Sequence, residues 1–291
     1  MPTPAYRLLP AFLAIVIALG FSVGCGAKKT VVPEGSFEAD KILFERGTET
    51  LNKKKWLTAR EYFRQIVEGY PQSTYRGDAK LGLADSYMGD NSAESFVLAI
   101  NEYREFLTFF PTHPRADYAQ FKLAMAYYYQ MPKAERDQTN SKEALKEFDA
   151  FFERFPNSPL AEEAKKRRRD TRDRLSESDY RVGVFYYRSR WYPGAIDRLQ
   201  GVLKNDPEFT NRDGVYYYLA ESLSKVGRDA EALPYLDRLL NEFEKSEFLE
   251  KARARSAELK ASLPAAAPAD PNATAPKPSE LPAVVVTKPG R

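Results

Sequence analysis

The chain has one cysteine, Cys25, and one histidine, His113, among its 291 residues. One of each cannot make a zinc site or a Cys/His nucleophilic dyad, and a lone cysteine leaves no internal disulfide. His113 stands in a turn between helices, Pro111-Thr112-His113-Pro114, where a structural role is expected. Glycine-rich phosphate loops and paired-glycine nucleotide fingerprints are absent as well. Nor does one sign of charge dominate: 44 Lys and Arg face 41 Asp and Glu, leaving +3, which gives no global pull toward nucleic acid. These absences argue against an enzyme, a cofactor or metal site, and a nucleic-acid partner. A substrate-sized polar pocket around His113 is the feature that would point back to chemistry.

The N-terminus has what the rest of the chain lacks, a long apolar run. Arg7 is followed by LLPAFLAIVIALGFSVG, too short and too poorly flanked for a membrane span, so residues 1–24 read as an export signal. The run ends in Ser22-Val23-Gly24-Cys25 and resembles the lipobox of bacterial lipoproteins, with Ser22 where that pattern prefers Leu. The resemblance implies cleavage before Cys25 and acylation of it, each buried CH2 of an acyl chain contributing about 0.8 kcal/mol. Gly26 rather than Asp after the cysteine resembles the class sorted to the outer membrane. Residues 25–36 then read as a lipidated tether, and 263–291, with seven prolines and little to bury, as a disordered tail.

Between them runs a repeat. Gly183, Ala195, Leu199 and Pro207 are spaced 12, 4 and 8 residues apart, and Gly47, Ala59, Phe63 and Pro71 repeat that spacing. Ala220, Ala232 and Leu236 keep the first two intervals, with Glu244 in the proline place. Two further units, Ala84-Ala99-Tyr103-Pro111 and Ala124-Ala144-Phe148-Pro156, lengthen only the loop inside the pair. Small residues let two antiparallel helices approach, the large residue fills the space between them, and proline stops the second helix. The pattern resembles the tetratricopeptide repeat. It implies an all-α solenoid of five helix pairs, with helices near 37–52, 56–69, 74–89, 93–109, 115–130, 141–155, 192–204, 211–226, 229–243 and 246–261. A long helix near 158–190 links repeats 3 and 4, because Pro156 to Gly183 is 14 residues longer than the corresponding interval elsewhere. Two halves follow, 37–157 with repeats 1–3 and 158–262 with the long helix, repeats 4–5 and a closing helix. Pro114 and Pro159 fall in the first turns of their helices on this map, and Trp191 belongs to the core.

In such repeats the concave wall comes from the first helix of each pair, at the residues one after, three before and four after the small position. Those are Phe44, Thr48 and Leu51; Leu81, Asp85 and Met88; Phe121, Met125 and Tyr128. Most are apolar or aromatic, which suits an extended peptide with aromatic side chains, although they also suit packing between repeats. The run Lys165–Arg169 reads as a solvated, salt-bridged face. Arg198, beside the packing residue Leu199, is placed to face outward as a docking group.

The lipobox cysteine, the five repeats, Pro-Thr-His-Pro at 111–114, Pro-Asn-Ser-Pro at 156–159, and Asp173-Arg174-Leu175 ahead of Trp191 and Arg198 together resemble the BamD (ComL/YfiO) lipoprotein family over about residues 37–243. The resemblance implies a non-catalytic scaffold on the periplasmic face of the outer membrane of a Gram-negative-type envelope. There it would bind the C-terminal segments of unfolded barrel proteins and dock the periplasmic domains of a BamA-like barrel subunit. A different outer-membrane tetratricopeptide lipoprotein, a secretin pilot or a cell-envelope coordinator, is the alternative left open by the same residues.

Overall fold

A computed structural model describes residues 38–262, and all regular structure within them is helical. The expected signal segment, Cys25, the tether and the proline-rich tail lie outside the described residues. The helices are α1 (Ala39–Asn52), α2 (Trp56–Gly69), α3 (Arg76–Asp90), α4 (Ala93–Phe109), α5 (Ala116–Tyr128), α6 (Thr139–Arg154), α7 (Ala161–Arg188), α8 (Tyr192–Asn205), α9 (Arg212–Lys225), α10 (Asp229–Glu242) and α11 (Leu249–Ser262). They form two compact units, one ending at Asp90 and the other beginning at Asn91.

In the first unit α2 packs against both α1 and α3. The reason is visible at one ring. Phe63 on α2 lies between Gly47 of α1 and Gly82 of α3, so close that a Cβ on either would come within 2.7 Å and 2.5 Å of it. In the second unit each helix from α4 to α11 packs on the next. Gly183 of α7 admits Leu199 of α8 in the same way, at 2.6 Å from where a Cβ would stand. Every small and large position of the spacing pattern is buried, from Ala59 and Phe63 to Ala232 and Leu236. The pattern is therefore a packing code, and the tetratricopeptide-type helix pairs follow from it.

The turn inside a pair is closed by backbone geometry. Lys54, Arg190 and Gly227 all take the left-handed conformation, and the next residue's N–H reaches back to a carbonyl five residues earlier, as Trp191 does to Tyr186 at 2.9 Å. Only Gly227 is the residue type that adopts this backbone without steric cost.

Helix α7 has 28 residues, roughly 42 Å of rise. Ala164 and Thr171 are buried along it, and Leu160 ahead of it with Leu175 and Val182 on it are half-buried, the stripe expected for a helix with neighbours along its length. It packs on α6 and on α8, so the chain passes position 157/158 inside one compact unit.

Two expectations are corrected. Pro114 and Pro159 precede their helices by two residues instead of lying in the first turn. A side chain one residue ahead of each proline, His113 or Ser158, accepts the N–H of Arg115 or Leu160 and forms a separate turn before the helix. Trp191 is 55% exposed rather than core. Its ring lies over Gly194 and meets Tyr186 edge-on at 4.6 Å, covering the turn from outside.

The sandwiched ring makes a prediction. Gly→Ala inside a helix ordinarily stabilises by about 1 kcal/mol. Gly82→Ala should instead destabilise by about 1–2 kcal/mol, since the ring it meets has Gly47 on its other side and overpacking costs about 1–3 kcal/mol. Phe63→Ala should cost about 3–5 kcal/mol. Urea midpoints at constant slope test both; a stabilised Gly82→Ala would show that the ring has room to move.

Candidate functional site

The nine wall residues divide by burial. On α1, Phe44, Thr48 and Leu51 are half-buried, and Phe44 stacks on Tyr75 at 5.1 Å. On α3, Leu81 and Met88 are buried while Asp85 is half-buried. On α5, Phe121 and Met125 are buried, Phe121 lying 6.3 Å from Phe148 and 6.2 Å from Phe151. Tyr128 is half-buried. Its hydroxyl donates to Asp170 at 3.2 Å and accepts from Arg167 at 3.3 Å, both on α7. The buried four set the shape of the walls, and Phe44, Thr48, Leu51, Asp85 and Tyr128 are the ones a ligand can touch.

The same positional rule finds a second wall that sequence reasoning did not extend to. On α7 and α9 it selects Tyr180, Val184 and Tyr187, then Tyr217, Glu221 and Ser224. Arg255 of α11 joins them, donating to Ser224 at 2.7 Å with its Nε 3.1 Å from Glu221. Burial together with the Glu221 carboxylate pushes the Tyr217 hydroxyl up to about 12, so it stays protonated and a donor. This wall is aromatic and polar, whereas the upstream positions of each unit are mostly aromatic and apolar.

Arg198 is exposed on α8, as expected, and its Nη1 lies 3.3 Å from Asp179 of α7. With Asp179, Asp197 and Lys204 it borders a cleft of ≈ 430 Å³. The two proline-flanked motifs also converge. His113, Pro114, Pro156, Asn157 and Pro159 line a cleft of ≈ 440 Å³ together with Asp117, Arg154 and Phe155. Its polar groups are committed to structure: Asp117 accepts from Ser158 at 2.6 Å, Arg154 donates to Gln120 at 3.2 Å, and His113 packs edge-on to Phe106 at 5.2 Å. No acid–base pair is assembled there.

A family model described as an outer membrane lipoprotein, YfiO, matches residues 38–232. The chain belongs to the YfiO family. It is 26% identical over 227 residues to the outer membrane protein assembly factor BamD of Caulobacter vibrioides, covering 77% of this chain and 73% of that one. Against the same factor of Vibrio cholerae it is 28% identical over 206 residues, covering 67% and 83%. Among solved structures it is similar to the TPR2AB-domain:pHSP90 complex of yeast Sti1 at a TM-score of 0.45 and 12% identity, covering 76% and 83%, too distant to bear on function. This chain is thus a member of an outer membrane lipoprotein family whose curated relatives are named as the assembly factor BamD.

Polar staples between turns of the YfiO-family repeats were missed in the sequence. Ser73, Ser158 and Ser246 each donate to an aspartate in the first turn of the preceding repeat's leading helix, Asp40, Asp117 and Asp213, at 2.6, 2.6 and 2.5 Å. Each serine lies two residues after the Pro or Glu that ends the pair, a signal that was available. The fourth turn is held differently. Asp206, 3% exposed, accepts from Arg169 at 2.8 Å and from Ser176, while Thr210 bonds Asp173 at 2.9 Å.

Burial alone would raise the Asp206 carboxyl, but the Arg169 guanidinium and the Ser176 hydroxyl outweigh it and hold the group below the usual carboxylate range. A carboxyl depressed by folding stabilises fully above its unfolded value of about 3.9 and loses that contribution as pH falls through the depressed value. Wild type should therefore lose stability below about pH 4, and Asp206→Asn should flatten that loss. At neutral pH the variant should be less stable by about 1–3 kcal/mol. Urea unfolding across the acid range reads both; an unchanged acid slope would remove Asp206 from the account.

Proposed function

We propose that the chain works by capture and hand-over without chemistry. Its upstream walls receive C-terminal segments of unfolded outer-membrane proteins, and its downstream repeats dock the periplasmic domains of a BamA-like barrel subunit. Cys25, acylated, is the membrane anchor. The observation that carries the reading is the division by burial within each unit: Leu81 and Met88 of the first and Phe121 and Met125 of the second are buried, while Phe44, Leu51 and Tyr128 are half-exposed. A half-exposed aromatic on a rigid helix loses little conformational entropy on binding and suits an aromatic-ended peptide. Arg198 supports the docking half, since an exposed guanidinium already aligned by Asp179 can exchange that surface pair for a partner's carboxylate.

Tyr128→Ala should weaken binding of a synthetic aromatic-ended barrel segment about tenfold, a change of about 1.4 kcal/mol, with little change in fold. Phe121→Ala should chiefly cost stability, about 3–5 kcal/mol. Fluorescence anisotropy beside thermal unfolding separates the two, and unchanged affinity for Tyr128→Ala would reject the wall as the capture surface. Arg198→Glu should weaken binding of purified periplasmic domains of the barrel subunit by about tenfold or more. Wild-type affinity would take Arg198 out of the interface.

A further inference from the structure

The basic face of α7 carries more cation than its internal pairing uses. Lys165 to Arg169 are five consecutive cations, and Arg172 and Arg174 follow. Arg167 is bound to Glu163 and Tyr128, Arg168 to Asp149, and Arg169 to Asp206 and Asp173. Among the described residues the side chains of Lys165, Lys166 and Arg172 have no ion pair or hydrogen bond. Lys165, Arg168, Arg169 and Arg172 follow the i, i+3, i+4, i+7 spacing, one stripe about 10 Å long. With Glu208 these four line a cleft of ≈ 250 Å³. Glu208 is exposed and 3.8 Å from Arg169, a contact that an incoming anion can displace. Two guanidinium groups are thus held in place by carboxylates beneath them, and an unpaired cation stands at each end of the stripe.

We propose that this stripe is a phosphate-binding surface whose occupant is the headgroup of an anionic phospholipid. Forked guanidinium groups match the two free oxygens of a phosphodiester, and a small cleft with cations at close helical spacing suits one compact phosphate better than an extended acidic chain. Membership in an outer membrane lipoprotein family puts a phosphate-bearing surface beside the chain. The contact is electrostatic, independent of Cys25 and of the peptide walls.

The test uses the mature-length chain, residues 25–291 with Cys25→Ala, which carries neither the apolar signal segment nor the acylation site, in flotation with vesicles of mixed phosphatidylglycerol and phosphatidylcholine or of phosphatidylcholine alone. The chain should float only with the anionic vesicles. Lys165→Glu/Arg172→Glu should weaken binding at least about thirtyfold. Lys225→Glu/Lys251→Glu, which changes net charge equally at exposed sites elsewhere, should leave it unaltered. The neutral pair Lys165→Gln/Arg172→Gln should give an intermediate loss with an unchanged circular dichroism spectrum, which separates charge from folding. Undiminished flotation of both stripe variants would overturn the site. Displacement by micromolar inorganic phosphate would overturn the headgroup as the source, and stripe-dependent binding of polyglutamate in preference to the vesicles would overturn it in favour of an acidic polypeptide.

Discussion

The structure depends on one steric relation, a large side chain of one helix seated where a neighbouring helix has no side chain. Phe63 between Gly47 and Gly82, and Leu199 against Gly183, bring helix backbones close enough that a single Cβ would collide. Such contacts leave no slack, because a packed interior is felt at the scale of one methylene. Regular helix spacing follows, and with it the presentation of first-helix side chains at repeated intervals. The walls are a by-product of the packing code, which is why one positional rule finds both the upstream and the downstream set.

Polar contacts add what apolar packing leaves loose. The serine-to-aspartate staples at Ser73, Ser158 and Ser246 tie each following turn to an earlier first turn. Where the fourth repeat has Phe209 at that place, the long helix supplies Arg169, Asp173 and Ser176 instead. Charge-assisted hydrogen bonds to a buried carboxylate are worth more than surface pairs, so this junction is firmly held. Helix α7 thereby carries three loads along its length: packing on α6, the Tyr128 hydroxyl contacts, and the clamp on the α8–α9 turn.

The helix pairs were legible because steric demands recur at fixed intervals, and Gly47, Ala59, Phe63 and their counterparts are buried as the spacing required. What the spacing could not resolve was which side of a helix meets a neighbour and which meets water. Leu81 and Phe44 occupy corresponding positions, yet one is buried and the other half-exposed. Trp191 shows the same gap: its size suggested core, but its work is to roof Gly194 from outside. The staples escaped although each serine stands two residues after the Pro or Glu that ends its pair, because its aspartate partner is 33 to 41 residues away in the chain. The family, by contrast, was readable from the cysteine, the repeats and two proline-flanked turns together.

Aromatic walls on packed helices and an aligned exposed arginine suit the chain to holding partners in register. The most direct measurement is affinity purification of the acylated protein from gently solubilised outer membranes, with the co-purifying proteins identified by mass spectrometry. A stoichiometric BamA-type barrel subunit is the result expected. Recovery of a secretin or a peptidoglycan-associated factor, with no barrel subunit, would contradict the account.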